Sequence, residues 1–235
     1  VLWFRGPHAP AGYFRDEELT ATVFDKDGWT TTEDIVWWLR QRSTEYGLGN
    51  WFHPTVNIQR ADDQQFDKVT AFSKNAEQNT IQPGDLIHVD FGITYLRLNT
   101  DCQQLAYVLK PGETQAPEFL REALKKGNQV QDFLTSNMKE GLTGNAILSN
   151  SLTQARSAGL RPAIYTHPLG SYGHSAGTTI GMWDAQEGVK SADGETYTLR
   201  PNTVYAIELN TTVRLDAWNR DIRVMLEEDV FFVAE

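Results

Sequence analysis

The stretch Asp85-Leu-Ile-His-Val-Asp-Phe-Gly-Ile-Thr-Tyr-Leu-Arg-Leu-Asn-Thr-Asp-Cys-Gln-Gln-Leu-Ala-Tyr107 decides the fold. Leu86, His88 and Asp90 alternate with Ile87, Val89 and Phe91, the period-two pattern of a β-strand. The extended pattern resumes from Leu96 to Val108, so the segment reads as two strands of a hairpin with its tip near Tyr95-Leu96. That register sets Asp90 and Asp101, eleven residues apart, directly opposite each other on one face. Directly opposed residues have β-carbons about 5 Å apart, and like charges there repel. Apolar neighbours penalise both charges further. A divalent cation would turn this repulsion into ligation, because carboxylate oxygens are hard donors. Two solvent-facing aspartates near a hairpin end are the alternative reading.

At 235 residues and 40% hydrophobic content, the chain can bury a sizeable core as one large domain or two small ones. The net charge of −10, with no basic run to offset it, argues against a nucleic-acid partner. Cys102 is the sole cysteine, which excludes an intrachain disulfide and a thiolate metal cluster and leaves the redox compartment open. No apolar run approaches the roughly 18 residues of a membrane-spanning helix. The sequence opens at Val1 without a methionine or a signal-like segment. Residues 1–27 are expected to be an N-terminal segment, the remnant of a longer region, ahead of a single domain over residues 28–235. The cytoplasm is the default compartment, with a processed exported form as the alternative.

Other elements follow from local pattern. Thr30-Thr31-Thr32-Glu33-Asp34 is a helix start with first-turn acids, and the helix runs to about Tyr46. Trp51 to Ile58 reads as a strand that carries His53, and the polar run Arg60 to Gln82 as surface loop. Pro83-Gly84-Asp85 turns the chain into the central hairpin. Glu118 to Met138 is helical, with an apolar face interrupted by Gly127, and Asn145 to Ala158 is a second helix stopped by Gly159. Gly28-Trp-Thr and Gly141-Leu-Thr each precede a helix, a loop and a carboxylate-bearing hairpin, a faint internal echo. His167 to Gly181 is glycine-rich, carries His167 and His174, and does not match a phosphate-binding loop. Glu208 lies in a strand from Thr203 to Leu209 that otherwise reads as buried. Glu227, Glu228 and Asp229 interrupt an apolar last strand, Ile222 to Val233, for which a partly exposed edge is the alternative.

Asp90, Asp101, His174, Glu208 and one of Glu227 or Glu228 thus form an ordered set of candidate ligands, and here the chain resembles the pita-bread metallopeptidases. These are methionine aminopeptidase, aminopeptidase P and prolidase. The resemblance covers about Gly28 to Val233 and implies an α+β fold of two pseudo-symmetric halves, each an antiparallel sheet backed by helices. It implies two divalent ions, drawn from Mn, Zn, Co or Fe, sharing a water or hydroxide. Asp90 then resembles a bidentate ligand, Asp101 and Glu227 bridging carboxylates, and His174 and Glu208 terminal ligands. Glu208 and Glu227 would also carry protons.

The chain departs from the family pattern at named places. Where the family has two substrate-contacting histidines, this chain has Ser73 and Gly181, with His53, His88 and His167 as candidate replacements. The usual Asp-x-Thr-Arg is Asp101-Cys102-Gln103-Gln104. The function implied is an exopeptidase acting near a peptide N-terminus, of Xaa-Pro aminopeptidase or dipeptidase type. A pita-bread lyase or small-molecule hydrolase is one alternative, and a non-catalytic peptide- or protein-binding domain is another. Family members often dimerise, so a homodimer is an expected assembly.

Overall fold

The structure, a computed structural model, describes residues 31–61 and 80–233; the N-terminal segment and most of the polar run after Arg60 lie outside them. In chain order the elements are α1 (Thr32–Glu45), β1 (Gly49–Asn50), β2 (Thr55–Gln59), β3 (Leu86–Phe91), β4 (Ile93–Tyr95), β5 (Leu98–Asn99) and β6 (Cys102–Tyr107). They continue with α2 (Glu118–Asn137), α3 (Gly144–Ser157), β7 (Pro162–Ile164), β8 (His167–Leu169), α4 (Ala192–Glu195), β9 (Thr203–Leu215) and β10 (Arg220–Phe232).

One seven-stranded antiparallel sheet runs β2-β3-β6-β10-β9-β7, with β8 also paired to β9. The order reads the same from either edge. A helix, a short strand and a hairpin (α1, β2, β3–β6) meet their counterparts (α3, β7, β9–β10) at the β6–β10 seam. The echo in the sequence has a physical basis at the helix starts. Thr31 caps α1 and Thr143 caps α3, and each also forms an isolated bridge, to Thr80 and Thr198 respectively. At Thr31 the cap is reciprocal, because Asp34 accepts from the Thr31 backbone N–H.

The helices cover one face. Ile35, Val36 and Leu39 of α1 pack on Val56, Ile87 and Val89. Val130 and Leu134 of α2 and Ile147, Leu148 and Leu152 of α3 pack with Ile207 and Leu209. Both packings lie on the same side, since Val89 pairs with Gln104, Glu228 pairs with Ile207, and the Gln104 side chain reaches Glu228 across the β6–β10 seam. Gln104 donates to the exposed Glu228 at 3.1 Å in the gap between the two apolar layers. Gly127, which breaks the apolar pattern of α2, is where the helix meets the sheet most closely. A β-carbon there would lie 2.7 Å from Val224 and 2.9 Å from Leu226.

The central hairpin corrects the expected register. Its tip is Leu96-Arg97, both at positive φ (48° and 69°), between the short strands β4 and β5. Two central residues at positive φ make the turn that matches the twist of paired strands. The turn is displaced one residue from the expected tip, and pairing shifts by two. Asp90 therefore faces Gln103, not Asp101. Because side chains alternate with period two, a shift of two leaves Asp90 and Asp101 on the same face.

Candidate metal centre

The uncovered face of the sheet carries the polar row that the register creates. Thr55, Asp90, Gln103, Glu227 and Glu208 are successive partners across β2, β3, β6, β10 and β9. Tyr165 extends the row, its N–H donating to the Glu208 carbonyl at 2.9 Å. Asp101 stands just before β6, and its N–H donates to Asp229 Oδ1 at 3.0 Å. Asp229 in turn pairs with Ala206, which pairs with His167 on β8. Strand pairing thus brings together residues separated by more than a hundred positions.

Within this face the donors fall into groups whose ligand atoms all lie within 4.8 Å of one another: Asp90, Asp101 and Glu227; His167, Glu208 and Glu227; and Asp101, His167 and His174. Asp101, Glu227 and His167 are buried, while His174 sits at the rim. His167 Nε2 lies 3.6 Å from Glu227 Oε1 and 3.8 Å from Asp101 Oδ2. Among the described residues, no hydrogen-bond partner satisfies His167 Nε2, Asp90 Oδ1 or Glu227 Oε1. Buried polar atoms without partners are rare and call for a ligand.

The electrostatics point the same way. Burial, then the charges of Glu227, Asp90, Glu208 and Asp229, push Asp101 up to about 9. Burial and the Glu227 charge push Glu208 up to about 9, against the Gln103 hydrogen bond. Burial and the Asp90 charge raise Glu227 to about 8, and burial raises Asp90 to about 6. Burial lowers His167 to about 4, outweighing backbone groups at Pro168 and Gly173 and the Asp229 charge, which act the other way. The close approaches to Asp101 and Glu227 are therefore contacts of a neutral imidazole. Four carboxyls whose pKa values are raised by burial and mutual repulsion, with one neutral imidazole, fit a divalent cation, which would favour the ionised acids and accept the ring nitrogen.

All but one of the expected site residues fall among the described residues. Asp90, Asp101, Glu208 and Glu227 converge, and Glu228 lies on the opposite face, its register partner being Ile207. His167, first read as a substrate contact, joins all but the aspartate-rich group, and His174 joins one. His53 is exposed, 3.2 Å from Arg40 and edge-on to Trp37, apart from the cluster. Gly181 packs in the interior, where a β-carbon would lie 2.3 Å from the Ile164 carbonyl oxygen. Ser73 lies outside the described residues. His88 reaches the network from below, its Nε2 2.8 Å from Gln103 Oε1. Two residues of the site were not foreseen. In the sequence Gln103 shows only as a departure from the family pattern, and Asp229 only as one of three acids in a strand.

Beside His174 an open cavity of about 460 Å³ is bounded by Trp51, Asn99, Tyr172 and Gly173. The Trp51 indole lies directly on Gly173, where a β-carbon would sit 2.0 Å from the ring, and its N–H donates to the Thr100 carbonyl at 2.7 Å. Only glycine leaves room for this contact, which brings an aromatic ring from one half of the fold to His174 in the other.

Fold and site together define an α+β pita-bread protein with a carboxylate–imidazole centre on the open face of its sheet. The chain matches metallopeptidase family M24 over residues 30–234 and belongs to that family of metal-dependent hydrolases. No curated protein sequence matches it. Among solved structures it is similar to an X-Pro aminopeptidase from Thermotoga maritima, at 19% identity and a TM-score of 0.61, over 86% of this chain and 51% of that one. It is similar to a methionine aminopeptidase from Rickettsia prowazekii at 12% identity and a TM-score of 0.57, over 87% and 83% of the two chains. The N-terminal domain of the FACT complex subunit SPT16 from Cicer arietinum is similar at 11% identity and a TM-score of 0.58, over 90% and 49%. The chain spans about half the length of the X-Pro aminopeptidase and prolidase chains that it matches. No described helix is long and apolar enough to cross a membrane.

Proposed function

We propose that the chain is a divalent-metal-dependent exopeptidase that cleaves near the N-terminus of its substrate, of Xaa-Pro aminopeptidase or dipeptidase type. The observation that carries this reading is the convergence of Asp90, Asp101, Glu208, Glu227 and His167 with bare, buried donor atoms on the one face that the helices leave open. These residues would hold the metal. When bound, the metal supplies Lewis-acid polarisation of the scissile carbonyl and an acidified water.

The chain's own residues do the rest. Glu208 and Glu227 lie beside the reacting atoms and can take a proton from the water and pass it to the leaving amine. His174, at the rim between the donors and the cavity, would on this reading hydrogen-bond the carbonyl oxygen as charge develops on it, and the Trp51–Tyr172 cavity would offer an apolar wall for a substrate side chain. On this reading His174 serves the substrate and His167 the metal, exchanging the roles first given to them.

The test is turnover of Xaa-Pro dipeptides and longer Xaa-Pro peptides by Mn²⁺-loaded protein, followed by chromatography of the products. Release of the N-terminal residue, abolished in Asp101→Asn, supports the reading. A metal-loaded protein that cleaves none of these peptides contradicts it and directs attention to lyase or small-molecule hydrolase chemistry. In His174→Ala the rate should fall about 10²-fold with bound metal unchanged. Loss of metal in that variant would return His174 to the ligand set.

A further inference from the structure

Gln103 occupies a position that a family peptidase gives to a smaller residue, and it is in the middle of the donor row. Its side-chain nitrogen donates one hydrogen to Glu208 Oε1 at 2.6 Å and the other to Glu227 Oε2 at 2.8 Å. We infer, building on the metal-dependent reading above, that this carboxamide stands in for one of the two cations. The centre then takes a single divalent ion, among Asp90, Asp101 and Glu227 with His167 alongside.

Three features fix the amide there. Gln103 is 4% exposed and is locked by register between Asp90 on β3 and Glu227 on β10, so its side chain starts within the site. Its Oε1 lies 2.8 Å from His88 Nε2, and since an amide oxygen can only accept, that imidazole nitrogen donates. Burial lowers His88 to about 4, so it meets Gln103 as a neutral ring. The opposite amide orientation would set the oxygen against two carboxylates, so the surroundings select nitrogen inward.

The two donor groups are affected unequally. Glu208 Oε1 and Glu227 Oε2, one oxygen from each glutamate of the group containing His167, already receive the amide hydrogens, which holds both carboxylates in place. In the group of Asp90, Asp101 and Glu227, Asp90 Oδ1 and Glu227 Oε1 remain unsatisfied among the described residues. A cation entering the second group meets oxygens that no side chain of the described residues occupies, and displaces only protons and its own water. One entering the first must also displace Gln103 from three hydrogen bonds in a buried site. An N–H₂ group spanning two carboxylates compensates them as a cation does, though more weakly and without Lewis acidity.

The experiment is a Mn²⁺ titration of chelator-treated wild type and of Gln103→Thr, which puts in the small hydroxyl residue of the family pattern. Bound manganese per chain is read by elemental analysis after desalting, and the electron paramagnetic resonance spectrum of each sample is recorded. The expected result is one ion with an uncoupled six-line Mn²⁺ spectrum in wild type, and two ions with an exchange-coupled spectrum in Gln103→Thr. Two ions in wild type, or one in both proteins, overturns the inference while leaving the metal-dependent reading in place. No bound ion in either protein removes the metal centre itself and this inference with it. If Gln103→Thr does not fold, as judged by circular dichroism, the wild-type stoichiometry and spectrum decide alone.

Discussion

Asp85 and Asp101 are buried carboxylates at opposite ends of the β3–β6 pair, 1% and 5% exposed, and the chain treats them in opposite ways. Asp85 receives the Arg60 guanidinium on both oxygens, at 2.6 and 2.7 Å, and the Gln82 N–H at 2.7 Å. Asp101 and its neighbours Asp90, Glu208 and Glu227 have no lysine or arginine as an ion-pair partner among the described residues. At one end the chain supplies its own cation, and at the other it concentrates acids and, among the described residues, supplies none. Burying a carboxylate without compensation is costly. The cost is tolerable where a cation from solution completes the site.

The largest expected effect lies at the compensated end. Arg60→Ala leaves Asp85 buried without its guanidinium and should lower unfolding stability by about 3–5 kcal/mol in urea denaturation. A loss below about 1 kcal/mol would show that the two ends are not treated differently. At the other end the sign reverses. Glu227→Gln removes a buried acid that its neighbours oppose, so the metal-free protein at pH 9 should gain about 1 kcal/mol or more, each unit of raised pKa being worth about 1.4 kcal/mol. The same variant should lose Mn²⁺ binding, measured by calorimetric titration. Destabilisation of the metal-free protein would contradict the comparison. The smallest effect belongs to the adjacent residue. Glu228→Gln changes an exposed group that accepts a hydrogen bond from the Gln104 amide, and stability should stay within about 0.5 kcal/mol with metal binding unaltered. Equal responses of Glu227 and Glu228 would mean that the face assignment is wrong.

Much of this contrast is legible in the sequence because strand alternation assigns faces without a register. Asp90, Glu208 and Glu227 each sit among apolar residues at a spacing that only a strand explains; the helices over Thr32–Glu45 and Gly144–Ser157 start at threonine caps, and the helix over Glu118–Asn137 announces itself by its apolar stripe. The register was less accessible. Leu96 and Arg97 adopt positive φ without the Asn-Gly signal that usually marks such a turn, and the expected tip fell one residue early. The error preserved the shared face of Asp90 and Asp101 and hid the residue that does stand opposite Asp90, Gln103. An uncharged glutamine in a strand carries no signal by itself; it becomes visible once Asp90, Glu227 and Glu208 are lined up across three neighbouring strands. The two histidines of the glycine-rich loop could not be ranked from spacing either. His167 enters the donor groups because a three-residue strand, β8, fixes it beside Ala206.

The most direct test is the pH dependence of the melting temperature with and without Mn²⁺. Asp90, Asp101, Glu208 and Glu227 have folded-state pKa values of about 6, 9, 9 and 8, above the range near 4 of unfolded carboxyls. Between about pH 4 and 9 the folded protein therefore binds more protons at these groups than the unfolded chain. Their contribution is fully present below about pH 4 and is lost as pH rises through the folded values. The metal-free protein should accordingly melt at progressively lower temperature from pH 6 to 9. Saturating Mn²⁺ should restore stability most at pH 9, by about 2.7 kcal/mol at a hundredfold excess over Kd. A melting temperature that is flat from pH 6 to 9, and indifferent to Mn²⁺ throughout, would contradict the claim that this face of the sheet is built for a cation.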